Sequence, residues 1–186
     1  MIELRDAGPA EFARRLDEVV GVYAAAMRPP GEQLPGRTAI MRSHTAYPAF
    51  RGLLAELHGT CVGFAYGFHG ASGQWWHDVV YRALSDDRGE LVADAWLGDA
   101  FELAEIHVHP DWQGKGVGRA LLTRLCEGRR ERSVVLSTHD QPTIARRLYR
   151  DLGFDDLLSG FVFPGGWELY AIAGARLPLI STLNEG

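Results

Sequence analysis

The feature that most constrains this 186-residue chain is the stretch His107-Val-His-Pro-Asp-Trp-Gln-Gly-Lys-Gly-Val-Gly-Arg119. An apolar run, Phe101 to Val108, leads into it, and Pro110 ends that run because proline has no N–H to give a sheet ladder. Gly114, Gly116 and Gly118 then fall on alternate positions. After them the period turns helical, with Val117, Leu121 and Leu125 recurring every four residues. The segment therefore reads as strand, glycine loop, helix. Such a loop aims several backbone N–H groups at one point, at the positive end of the helix dipole. That is a place for a phosphate, and glycine lets the phosphate reach the backbone.

Two familiar phosphate loops do not fit. A Walker loop needs Lys-Ser/Thr after its last glycine, and a dinucleotide fingerprint needs a glycine where Arg119 stands, or Gly/Ala where Leu121 stands. What fits is Gln113-Gly-Lys-Gly116-Val-Gly118, which resembles the Q/R-x-x-G-x-G/A pattern of the GNAT superfamily of acyl-CoA N-acyltransferases. Val108-His-Pro110 resembles the V-x-P that closes the preceding strand in that family. A second anchor lies downstream: Leu148-Tyr149-Arg-Asp-Leu-Gly153-Phe154 is similar to the L-Y-x-x-L-G-F ending of the family's penultimate helix. One departure is Asp140-Gln-Pro-Thr143, where many members carry an asparagine that contacts the cofactor.

The remaining segments agree in order with the family. Ile2–Arg5 is a short strand, followed by a helix that starts at Pro9 and carries Phe12, Leu16, Val19, Val20 and Tyr23 on its apolar face. Pro29-Pro30-Gly31 stops it, and residues 36–47 give a second helix. Phe50–Leu57 and Thr60–Phe68 form a hairpin turning at His58-Gly59, with a bulge favoured by the glycines of its second strand. Ser133–Thr138 is a strand. Pro142 opens a helix whose stripe is Ile144, Ala145, Leu148 and Leu152, with Gly153 as its C′ residue. Phe161–Phe163 and Glu168–Ala173 close the sheet. The resemblance implies a mixed α/β (α+β) fold: one mostly antiparallel, twisted sheet of about seven strands, flanked by helices. The expectation is one domain over 1–186 with an insert at about 71–99. In the insert, Trp75, Trp76, Val79, Val80, Ala83 and Leu84 predict an amphipathic helix, Asp86–Gly89 a turn, and Leu91–Leu97 is ambiguous. The paired tryptophans read as packing, with a wall of the acceptor pocket as the functional alternative.

Phe101–Val108 carries two carboxylates, costly in a buried strand unless paired or used. Alternation sets Glu102 on the face of Ala104, Ile106 and Val108, and Glu105 on that of Leu103 and His107. The resemblance implies that acetyl-CoA, and no metal, serves the site. Ile106, His107 and Val108 would pair with its pantetheine along the strand, and Gln113, Gly114, Lys115, Gly116, Val117, Gly118 and Arg119 would hold its pyrophosphate. It also implies direct attack of a primary amine on the thioester, with Glu102 taking the amine's proton, Glu105 as the alternative, and Tyr149 protonating the departing thiolate. Either glutamate can instead be a buried charge paired with arginine or a backbone N–H.

Composition bounds the partners. A net charge of −5 with no basic block argues against nucleic acid. No apolar run reaches membrane length, the N-terminus lacks a signal-peptide pattern, and two cysteines make no disulfide framework, so the expected setting is the cytoplasm. The expected acceptor is a small-molecule amine, and the expected state a monomer or homodimer. Two other classes stay open: an acyl-CoA sensor of the same fold without catalysis, and a metallo-hydrolase using His107, His109 and Asp111, whose spacing matches the start of H-x-H-x-D-H but meets Trp112 where its last histidine belongs.

Overall fold

The computed structural model describes residues 1–180. Its strands are β1 (Glu3–Ala7), β2 (Arg51–Leu57), β3 (Thr60–His69), β4 (Ala100–Val108), β5 (Ser133–His139), β6 (Asp155–Phe161) and β7 (Tyr170–Arg176). Its α-helices are α1 (Pro9–Arg14), α2 (Leu16–Met27), α3 (Leu34–His44), α4 (Trp75–Arg88), α5 (Glu90–Leu97), α6 (Val117–Cys126) and α7 (Ile144–Asp151). The strands follow the order β1-β2-β3-β4-β5-β7-β6. Antiparallel pairs dominate; β4 and β5 are parallel, and the chain between them runs through the glycine loop and α6, as a parallel crossover requires. This is the mixed, mostly antiparallel seven-stranded fold expected from the sequence. No helix of the described residues is long and apolar enough to cross a membrane.

The described chain divides into two compact units, Met1–Phe68 with Leu103–Leu125, and His69–Glu102 with 126–180. In the first, β1 and β3 flank β2 in antiparallel register. The β2–β3 turn is tight because His58 and Gly59 both take positive φ, 50° and 82°, the combination that a two-residue hairpin turn demands. The register steps from Ala55↔Gly63 to Glu56↔Cys61, leaving Val62 as the extra residue of the expected bulge. The core collects Phe12, Leu16, Val19, Tyr23, Met41, Leu54, Phe64, Tyr66 and Phe68. Each fully buried large side chain here contributes roughly 1.5–3 kcal/mol by leaving water.

The helix expected to run on from Pro9 is two helices, broken at Arg15 (φ −101°, ψ 14°). At this break the Arg15 guanidinium pairs with the buried carboxylate of Glu56 and with Glu18 at 2.8 Å. A left-handed Arg28 (φ 49°) and the two prolines after it then end α2.

In the second unit β5 pairs with Ala100–Glu102 of β4 and with β7, and β6 lies outside β7. Its core joins Val80, Leu84, Ala93 and Leu97 of α4 and α5 to Ala100, Val135, Leu157 and Ile172. Three boundaries differ from the sequence reading. Asp86–Arg88 are the last turn of α4, and only Gly89 (φ 92°) breaks the chain before α5. The outer strand begins at Asp155, directly after Gly153 (φ 85°) and Phe154, rather than at Phe161. And α7 buries Arg146 and Tyr149, while Ile144 is 77% exposed. Arg146 can be buried because Asp140 (3.2 Å) and Asp156 both receive its guanidinium.

Candidate active site

The exit of β4 builds the loop that the sequence singles out. His109 N–H donates to the Val62 carbonyl at 2.9 Å, after which Pro110–Trp112 make one 3₁₀ turn closed by Trp112 N–H onto the His109 carbonyl at 2.8 Å. The Gln113 side-chain amide reaches back to the Val108 carbonyl at 2.9 Å and braces the loop. Lys115 donates to the Asp111 carbonyl at 2.9 Å, with its ammonium 4.3 Å from the centre of the Trp112 ring. Gly114 (φ 71°) and Gly116 (φ 80°) are left-handed, a conformation that disfavours any β-branched side chain. The Gly116 carbonyl accepts Ala120 N–H at 3.0 Å and starts α6, so the N–H groups of the first helical turn have no partner within the helix. Gly118 lies in that turn. The loop thus has the backbone of an anion cradle at a ten-residue helix's positive end.

Upstream on β4, the two glutamates have opposite environments. Glu105 is occupied: its carboxylate accepts from Arg37 of α3 at 3.0 Å and meets His107 Nε2 at 2.6 Å. The His107 ring stands edge-on to Tyr23 (5.1 Å, 90°) and tilted against Phe64 (5.5 Å). Arg37 lies 5.3 Å from the Tyr23 ring centre. Burial works against the Arg37 charge, but Glu105, with Tyr23 and Tyr66, more than offsets it and raises its pKa. His44 shifts the other way, because burial and Arg37 outweigh Glu105, and its Nδ1 meets the Tyr66 hydroxyl at 3.0 Å.

The Glu105 and His107 side chains, two residues apart on β4, meet on one face, as strand alternation expects.

Glu102, in the second unit, has no ion-pair partner among the described residues. It is 5% exposed, its Oε2 makes no hydrogen bond, and burial alone pushes its pKa up to about 8. Tyr149 is 7% exposed, with its ring 5.6 Å from Phe154. It lies within the buried stripe of α7 with Arg146, not at the edge of a stripe led by Ile144. The two tryptophans of the insert separate. Trp76 donates to Ser137 Oγ at 3.2 Å and packs on the core, whereas Trp75 is 59% exposed and stacks on Phe163 at 5.6 Å. The loop 69–72, α4 and α5 also surround an open polar cleft of about 750 Å³, lined in part by His77, Tyr81 and Asp94.

Among the described residues, no three His, Cys, Asp or Glu side chains gather as a group that could hold a metal. His107 faces Glu105, while His109 Nδ1 accepts the Asp111 N–H at 3.4 Å. Arg37, Tyr23, His44 and Tyr66 are not among the site residues expected from the sequence. No local spacing ties residue 37 to residue 105. The available signal is indirect, since a carboxylate in an apolar strand calls for a cation from elsewhere.

A family model described as the acetyltransferase (GNAT) domain matches residues 48–156. The GCN5-like protein acetyltransferase Rv2170 of Mycobacterium tuberculosis is 37% identical over 204 residues, covering 96% of this chain and 99% of the relative. Among solved structures, the ribosomal-protein-S18-alanine N-acetyltransferase of Escherichia coli superposes with a TM-score of 0.64 at 18% identity over the whole of both chains. The PaiA N-acetyltransferase of Thermoplasma acidophilum, solved with coenzyme A, gives 0.63 at 14% identity over 95% of this chain and 99% of that one. The solved structures share the fold, and the domain match over the strand–loop–helix segment together with the end-to-end relative identifies the chain as an acetyltransferase of the GNAT family.

Proposed function

We propose that the protein transfers the acetyl group of acetyl-CoA to a primary amine by direct attack on the thioester. The observation that carries this reading is the loop from Gln113 to Arg119, where two left-handed glycines open a helix of ten residues. In this reading the N–H groups of Gln113, Gly114, Lys115, Gly116, Val117, Gly118 and Arg119 hold the pyrophosphate, and the backbone of Ile106, His107 and Val108 pairs with the pantetheine. Tyr149 donates a proton to the leaving thiolate; a phenol, with an ordinary pKa of ~10, stays protonated at neutral pH. Of the two glutamates, Glu102 is the better direct base, because both oxygens of Glu105 are engaged by Arg37 and His107. The whole of 1–186 acts as one transferase domain, monomeric or homodimeric, with 71–99 added to the family core. A cytoplasmic setting suits Cys61 and Cys126, both buried and neither in a disulfide.

The acceptor is proposed as a small-molecule amine, in keeping with the absence of a recognisable peptide-docking segment in the sequence. A second reading, a protein lysine, draws on the printed name of the 37% identical relative, a protein acetyltransferase. One experiment addresses both: release of free CoA thiol from acetyl-CoA, screened over small amines and lysine-containing peptides. Amine-dependent release is expected, highest with a small amine. Release only with peptides moves the acceptor to protein lysine, and none with any amine leaves a non-catalytic acyl-CoA binder.

A further inference from the structure

An alkylammonium must lose a proton before its nitrogen can attack, and Glu102 is poorly placed to take it at neutral pH, being held largely protonated by burial. The first unit contains a group better suited to the task. His107 is set by a carboxylate: Nε2 donates to Glu105 Oε2 at 2.6 Å, and the other carboxylate oxygen accepts from Arg37 at 3.0 Å. With Nε2 carrying the hydrogen, the lone pair lies on Nδ1. That nitrogen has no hydrogen-bond partner among the described residues, and it is not among the buried side-chain atoms sealed without one.

Two aromatic rings hold the imidazole, Tyr23 edge-on at 5.1 Å and Phe64 tilted at 5.5 Å. A carboxylate fixing the tautomer of an imidazole, with the far nitrogen open, is the arrangement that makes histidine a general base. Other histidines compare poorly. Both nitrogens of His77 are occupied, by Asp78 and the Leu97 carbonyl, and His44 Nδ1 is taken by the Tyr66 hydroxyl. The charged and titratable groups around His107 are Glu105 on its own strand, Tyr23 on α2, Arg37 and His44 on α3 and Tyr66 on β3.

We infer that His107, oriented by Glu105, takes the proton from the acceptor ammonium, with Arg37 as the positioning residue that fixes the carboxylate. This rests on the proposed acetyl transfer, in which the strand carrying His107 is the one that pairs with the pantetheine. The ammonium R–NH3⁺ gives one proton to Nδ1. The freed lone pair forms the C–N bond at the acetyl carbonyl carbon, and the C–S bond breaks with its electron pair on sulfur. A second proton leaves the nitrogen and ends on the CoA thiolate. The imidazolium returns the first proton to water, so the products are the acetamide, CoA thiol and one hydronium ion.

The test uses an acceptor pair that differs in the need for a base: Nα-acetyl-lysine amide, and its analogue with the ε-methylene replaced by oxygen. The analogue is an alkoxyamine and is already neutral at pH 7. Single-turnover transfer from acetyl-CoA is measured at pH 7 for wild type, His107→Gln and Glu105→Gln, with acetyl-CoA affinity and melting temperature alongside. His107→Gln is expected to slow transfer to the lysine probe roughly 10²-fold more than transfer to the alkoxyamine. Glu105→Gln, which keeps the imidazole, is expected to show the same selectivity in weaker form, and it carries the test if His107→Gln does not fold. Equal losses on the two probes, or no loss on either, overturn the inference while acetyl transfer stands. If wild type acetylates neither probe, the transfer reading for lysine-like amines falls, and the role of His107 with it.

Discussion

Glu102 and Tyr149 each carry a prediction that is separate from the role of His107. Folding raises the Glu102 pKa from the ordinary carboxylate value to about 8. Between these values the unfolded chain has released a proton that the folded one keeps, so stability falls as pH rises through this window. Glu102→Gln removes that penalty. Its melting temperature is predicted to match wild type near pH 5 and to exceed it at pH 8 and above; an equal offset at both pH values would mean that the carboxyl is not kept protonated by burial. If Glu102 also serves as a base, wild-type kcat/KM rises with pH through about 8 and the variant lacks that rise. For Tyr149→Phe, which keeps the ring against Phe154 and removes only the hydroxyl, kcat is predicted to fall roughly 10²–10⁴-fold at near-normal acetyl-CoA affinity. Wild-type single-turnover rates in that variant would take Tyr149 out of the mechanism. The sequence suggested both residues through the family resemblance. It could not show that Glu105 would be the paired carboxylate and Glu102 the solitary one, because Arg37 arrives from a helix 68 residues away in the chain.

At the scale of elements, the strand–loop–helix was legible because glycine spacing, a proline stop and a helical period are local signals that agree. The stripe of α7 was misjudged because apolarity was used to set its phase. Ile144 is exposed, and the buried position next to Tyr149 is an arginine stabilised by Asp140 and Asp156, which no apolar count detects. In the insert, adjacent tryptophans point to different tasks. Trp76→Ala is predicted to lower the melting temperature, since the indole is packed on the α4–α5 core and bonded to Ser137. Trp75→Ala is predicted to leave it nearly unchanged and to alter the acceptor KM more than that of acetyl-CoA. Equal KM effects would make Trp75 a packing residue as well.

For the molecule as a whole, the sequence yielded the fold class because the order of strands and helices matched a family along almost the full chain; the spatial order β1-β2-β3-β4-β5-β7-β6 comes from the structure alone. It did not yield the acceptor, whose surroundings depend on residues far apart in the chain. The account's central claim is that the loop from Gln113 to Arg119 holds acetyl-CoA, and calorimetric titration of wild type and Gly116→Val with acetyl-CoA tests it. A valine at φ 80° is strained by about 1–2 kcal/mol and puts a branched side chain where the diphosphate meets the backbone. The predicted result is a saturable wild-type isotherm and at least roughly 10-fold weaker binding in a Gly116→Val protein whose circular dichroism shows it folded. Equal affinity in the folded variant, or no binding by wild type, would contradict the claim.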